Sequence, residues 1–342
     1  MTESSVTHKL LTSARHAVSI ILLTMLTASA WAGGYTYRPG QGMSCAWHAD
    51  DHVGVYTTAG SRMNYSVVAT DMLDYGTATL SCGWALTPNT LYYSYAPYQS
   101  NYFDTPITSL PISYTGQQQT ENGSTAHLAA YDFMAATCTT GDDNAHFTYS
   151  HLGCILRIEL PIGQTATYTS LTLTTPSSSD ALFVSDATMN LTTLTTTPKA
   201  RQQSLTLQLS DIALSSGESL VAYLMLAPTD LTGHVLHVTA TAADGITTEM
   251  DITGASMTAG KIYTTATAGN SSEAAATKRQ KASSQIATIK CTMPDFTEET
   301  LHAVVTAISD TRVATESKSR RYEIIPGKIY IQDGRKYLIR QR

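Results

Sequence analysis

Apolar and polar residues alternate along most of this chain. Cys154, Leu156 and Ile158 alternate with Ile155, Arg157 and Glu159, and Leu205, Leu207 and Leu209 form a second such row. Period-two alternation turns one face of a strand to a core and the other to water. It predicts strands around 52–57, 64–70, 77–85, 90–97, 131–138 and 146–160. A further set follows around 168–175, 181–184, 188–194, 203–209, 219–227, 234–242, 246–252 and 261–266. Asp244-Gly245, flanked by alternating segments, is a hairpin turn signal. Short strands with turns at this density predict an all-β fold of β-sandwiches. A soft boundary at Pro161–Thr167 divides them into an N-terminal sandwich, residues 33–165, and a C-terminal one, residues 166–268.

The pattern then changes. Residues 269–290 read as an Ala/Ser/Thr-rich linker. Asp295 and Glu298 are spaced as a capping box, and Leu301, Val304, Val305 and Ile308 fall on one helical face. KIYIQDGRKYLI reads as two strands around Asp333-Gly334. Residues 291–342 therefore predict a small helix-plus-hairpin tail. Charge follows the same division. Residues 33–277 carry six basic and nineteen acidic side chains, whereas residues 278–342 carry thirteen basic and seven acidic ones. So small a tail is unstable alone, and it is expected to dock on the acidic body or on a neighbouring subunit or export apparatus, the long linker favouring a partner outside the chain.

Before the first strand, the basic stretch His8, Lys9, Arg15 and His16 precedes an apolar run from Ala17 to Leu26 and the site Ala30-Trp31-Ala32. This is the form of a secretory signal peptide, residues 1–32, cleaved after Ala32. The run is shorter than the ~20 apolar residues that span a bilayer. The expectation is an exported chain with no transmembrane segment after signal removal. Hydrophobic residues make up 42% of the chain, which excludes a disordered polymer. Export also excludes nucleic acid as the partner of the basic tail.

Candidate chemistry is sparse. Five cysteines, Cys45, Cys82, Cys138, Cys154 and Cys291, include no C-x-x-C pair, so neither zinc nor thioredoxin-like chemistry is indicated. In an oxidising compartment Cys138 and Cys154 are the candidate disulfide, with buried thiols as the alternative. His48, Asp50 and His52 fall at i, i+2 and i+4, but a solvated loop is the stronger reading than a metal site. His151 and Cys154 would point to opposite faces of a strand. The glycine-rich and nucleophile motifs of common enzymes are missing, so no catalytic residue and no cofactor are assigned. Tyr92, Tyr93, Tyr95 and Tyr98 are the candidate ligand face, suited to stacking on a glycan. The alternative is a strand with aromatic residues packed on both faces.

Five patches, in order, are DDHVGVY, YYSYAPY, HLGCILRIEL, YLMLAP and GKIY. Their order and spacing, over roughly residues 45–265, resemble the fimbrillin-like family of type V pilus subunits and related surface adhesins. The resemblance implies transthyretin-like sandwiches and a non-enzymatic fimbrial subunit or adhesin. It would be displayed at the cell surface, in an outer membrane-associated fimbrium, or secreted. Its partners would be other subunits or further copies of itself, and a host or bacterial surface ligand. In such pilins an Arg-directed protease removes an N-terminal strand, and the vacated groove accepts a strand from the next subunit. By this resemblance Arg38 is the first candidate processing site and Arg62, in Gly60-Ser61-Arg62, the second. The chain departs from the lipoprotein members in having its first cysteine at Cys45, well past the apolar run. The final PGKIYIQDGRKYLIRQR is similar to the last hairpin of a type IX secretion sorting domain. A second function class, a secreted glycan-binding module, would use the tyrosine face instead.

Overall fold

The computed structural model describes residues 34–48, 51–57, 62–67, 76–81, 86–141, 145–175, 181–265, 289–301, 303–304, 329–332 and 335–338. Among them the helical elements are two short 3-10 turns, Ser100–Tyr102 and Ala126–Ala130, so the chain is all-β. The signal segment with Ala30 and Ala32, Cys82 and most of the expected linker lie outside the described residues.

An eight-stranded sheet runs in the order Ala145–Thr148, Ile289–Thr292, Thr77–Ser81, Arg62–Val67, His52–Thr57, Leu91–Ala96, Met134–Thr139 and Ser150–His151. A four-stranded sheet orders Ser219–Leu226, Cys154–Pro161, Lys261–Thr265 and Thr297–Leu301. A six-stranded sheet orders Ala303–Val304, Thr247–Thr253, Val235–Ala242, Ala166–Thr174, Ser204–Leu214 and Gln118–Gln119. Three strands, Thr195–Gln202, Phe183–Asn190 and Leu110–Ser113, make a smaller sheet. The N-terminal hairpin, Gly34–Arg38 with Gly42–Ala46, is a separate two-stranded pair.

The four-stranded sheet explains why Ser219–Leu226 and the start of Cys154–Pro161 read as nearly continuous apolar runs. Ile155, Tyr223, Met225 and Ile262 face one core, which holds Trp47, Tyr95 and Phe296. Cys154, Leu156, Leu224 and Tyr263 face a second core with Leu171, Leu207 and Val238. A strand buried on both faces needs apolar residues at odd and even positions alike. Pairing also crosses residue 165: Phe183–Asn190, after that point, pairs with Leu110–Ser113, before it.

The free edge of the four-stranded sheet is closed by side chains. Gln117 bonds both Met225 N and Met225 O, and Gln119 accepts from Tyr223 N and donates to Val221 O. Asn122 takes Val221 N and Ser219 O, and His127 Nε2 bonds Tyr223 O. Three amides and an imidazole thus satisfy edge groups that would otherwise invite another strand.

Where the expected helix from Asp295 to Ile308 is described, at residues 295–301 and 303–304, strands stand in its place, and Val305 and Ile308 lie outside the described residues. Thr297–Leu301 pairs in parallel with Lys261–Thr265, and Ala303–Val304 pairs with Asp251 and Ile252. Ile289–Thr292 lies inside the eight-stranded sheet, parallel to Ala145–Thr148 and antiparallel to Thr77–Ser81. A capping box and an apolar stripe are local signals worth little against a row of backbone bonds from waiting sheets. Residues 289–304 therefore belong to the body, not to a separate tail. The expected hairpin is present as Ile329–Gln332 with Arg335–Leu338, in a second unit of its own.

Candidate functional site

Sequence reasoning offered the tyrosine strand, the cysteine pair and the arginines. Tyr92 is 1% and Tyr95 0% exposed, while Tyr93 and Tyr98 are half-buried against the first core. Tyr95 packs against Tyr56 and Tyr102, with ring centroids 5.9 and 5.2 Å away. The Tyr92 oxygen accepts the Thr87 N–H. The expected ligand face is thus a packed strand, because both sides of the sheet are covered. Gly54 shows how closely: a Cβ there would lie 1.8 Å from the Tyr95 ring.

Cys138 and Cys154 are both free thiols. Cys138 sits half-buried in the eight-stranded sheet, its sulfur accepting the His146 N–H. Cys154 lies in the second core, its thiol directed at the Leu226 carbonyl, and burial pushes it up to about 12. The expected pair is therefore not formed: the two residues belong to different sheets. His48 donates its backbone N–H to buried Asp51, as in a turn.

Arg38 closes the N-terminal strand. Gln41 N bonds Arg38 O across the turn, and Gly40 and Gly42 take φ values of 74° and 94°. Pro39 follows Arg38, so the bond after that arginine is a tertiary amide with no N–H. Arg62 opens the strand Arg62–Val67 opposite Tyr56.

The seat of the hairpin holds a connected chain of buried polar groups. Tyr35 donates its hydroxyl to Asp132 Oδ2 at 2.6 Å, and Asp132 Oδ1 meets His151 Nδ1 at 2.8 Å. His151 Nε2 reaches the Pro294 carbonyl at 2.7 Å. A carbonyl only accepts, so Nε2 carries a proton. Burial, and then the Asp132 charge, hold the Tyr35 phenol well above its usual range. The His151 and Asp132 side chains are 1% and 0% exposed, so this chain of bonds is closed off from solvent. It ties four distant stretches of sequence together.

A second anchor holds the hairpin's far end. Tyr37 donates to Glu298 Oε1 at 2.8 Å, and Gly40 N–H meets Glu298 Oε2 at 2.7 Å. Arg157 lies over the Tyr37 ring, 4.8 Å from its centroid, and pairs with Glu159. Burial, then the Glu298 bond, raise the Tyr37 phenol. Asp295 and Glu298, which looked like helix caps, serve instead as acceptors for the hairpin. Tyr35, Asp132 and His151 stand too far apart in sequence for any spacing rule to join them.

A family model described as fimbrillin-like matches residues 40–295. No curated protein matches the chain. Among solved structures, a proposed cell adhesion protein from Bacteroides ovatus is 19% identical, with 64% of this chain and 82% of that chain covered and a TM-score of 0.44. One from Bacteroides thetaiotaomicron is 11% identical, covering 67% of this chain and 86% of that one, with a TM-score of 0.37. No helix among the described residues is long and apolar enough to cross a membrane.

Proposed function

The chain belongs to the fimbrillin-like family, and on that premise we propose that it is a non-enzymatic subunit of a cell-surface fimbrium that assembles by strand addition between chains. The observation that carries this reading is the strand Ile289–Thr292. It fills an interior position of the eight-stranded sheet although 23 residues, 266–288, separate it from the preceding strand. A sheet completed by a strand from far along the chain is held by main-chain bonds, and such bonds do not depend on which chain supplies the strand. The amide-capped edge at Ser219–Leu226 bars random pairing there and directs addition to other edges.

Processing after Arg38 or Arg62 prepares the subunit. Arg62 offers an ordinary peptide bond to Met63, whereas Arg38 precedes Pro39. Its partners are further copies or other subunits, and a host or bacterial surface molecule is the ligand of the assembled fibre. N-terminal sequencing of surface-extracted protein tests the processing step. A start at Pro39 or Met63 supports it, and a start at Gly33 shows that only a signal segment is removed.

A further inference from the structure

Segment Met293–Glu298 runs against the N-terminal hairpin and is bonded to it repeatedly. Met43 and Phe296 exchange both backbone bonds, at 3.0 and 2.9 Å. Asp295 Oδ1 accepts the Cys45 N–H at 2.9 Å, and Glu298 accepts from Tyr37 and Gly40. Pro294 O is held by His151, which is tied through Asp132 to Tyr35. The His151 and Phe296 rings stack with centroids 3.8 Å apart. Space is closed as well. A Cβ at Gly42 would lie 2.1 Å from Phe296 O, and one at Gly76 would lie 2.7 Å from Met293 O.

The hairpin has no larger sheet of its own. An isolated two-stranded hairpin is marginal in water, so its place depends on what Tyr35 and Tyr37 grip. The dependence runs both ways: the hairpin is held by the segment and by its flanks, and the segment is covered by the hairpin.

We propose that the N-terminal hairpin is a clasp on the C-terminal strands. Ile289–Thr292 and Thr297–Leu301 open only after Tyr35 leaves Asp132 and Tyr37 leaves Glu298. What the hairpin and its flanks hold is an extended acidic segment carrying phenylalanine: backbone N–H and tyrosine O–H donors meet the two carboxylates, and the His151 ring meets Phe296. The clasp works within one unprocessed chain and goes beyond the assembly reading, since cleavage after Arg38 or Arg62 would part Tyr35 and Tyr37 from the strands they hold.

Amide hydrogen exchange on the full chain in solution tests it. In the wild-type protein, amides of 34–46 and 289–301 lose protection together as denaturant is added, before Leu171, Leu207 and Val238 of the second core. Tyr35→Phe, and the pair Tyr37→Phe with Glu298→Gln, accelerate exchange in 289–301 at least tenfold and leave those second-core amides unchanged. Lys261→Ala removes an ion pair to Glu299 on the same strand without touching the hairpin, and it changes exchange in 289–301 less than threefold. Three results overturn the clasp. One is exchange of 289–301 ahead of 34–46 in the wild type. Another is no acceleration in the tyrosine variants, and the third is an equal acceleration in the second core.

Discussion

Phe296→Ala separates a body strand from an appended tail most sharply. Phe296 is 0% exposed and lies in the first core, with Met43, Cys291 and Met293 in the same cluster. Truncating a buried phenylalanine removes its transfer free energy and leaves a cavity that the surroundings fill only in part, a cost of about 3–5 kcal/mol. The stack on His151 is lost in addition. Lys261→Ala, at a half-exposed ion pair, is the contrast and should cost less than about 1 kcal/mol. Equilibrium urea unfolding followed by circular dichroism reads both. A loss below about 1 kcal/mol for Phe296→Ala would refute the placement of residues 289–301 in the body and restore the detachable tail. By the same reasoning, truncation after Gly269 strips the first core of Cys291, Met293 and Phe296 and leaves its sheet unfolded.

Other outcomes follow from single sites. Gly54→Ala forces a Cβ into the Tyr95 ring and should cost about 1–3 kcal/mol or more; adding Tyr95→Leu should relieve part of that loss, and strict additivity in urea unfolding would show the ring is not the obstacle. Gln119→Ala uncovers Tyr223 N on the sheet edge and removes one of the two donors to Val221 O, so sedimentation should detect self-association at concentrations where the parent chain is monomeric; an unchanged profile would mean the amides do not guard the edge. A thiol reagent should label half-buried Cys138 in the folded protein and reach Cys45, Cys154 and Cys291 only on unfolding; early labelling of the latter three contradicts their burial. Buried Tyr35, Tyr114 and Tyr149 keep their protons to higher pH when folded than the unfolded value of about 10. Above that pH the unfolded chain binds fewer protons, so stability should fall as pH rises; a flat alkaline profile in urea unfolding would contradict this.

Strands were legible wherever alternation or a two-faced apolar run was strong, as in Cys154–Pro161 and Ser219–Leu226. Partners were not. Residues 295–308 carry a capping box and a helical stripe, and only open strand positions elsewhere in the fold turn 297–301 and 303–304 away from a helix. The division near residue 165 looked reasonable because turn residues cluster there, yet Phe183–Asn190 finds its neighbour at Leu110–Ser113. Tyrosine-rich YYSYAPY marked a strand but not its burial, since Tyr fits a core as well as a surface. The hairpin seat was invisible because its bonds join residues 35, 132, 151 and 294, and no local pattern links positions that far apart.

Assembly into a surface fibre is the central claim, and electron microscopy of cell-surface material with and without the gene product tests it most directly. The account predicts filaments that carry this chain and disappear or shorten when it is absent. Identical filaments in both samples, with the chain recovered only as a monomer, would contradict it.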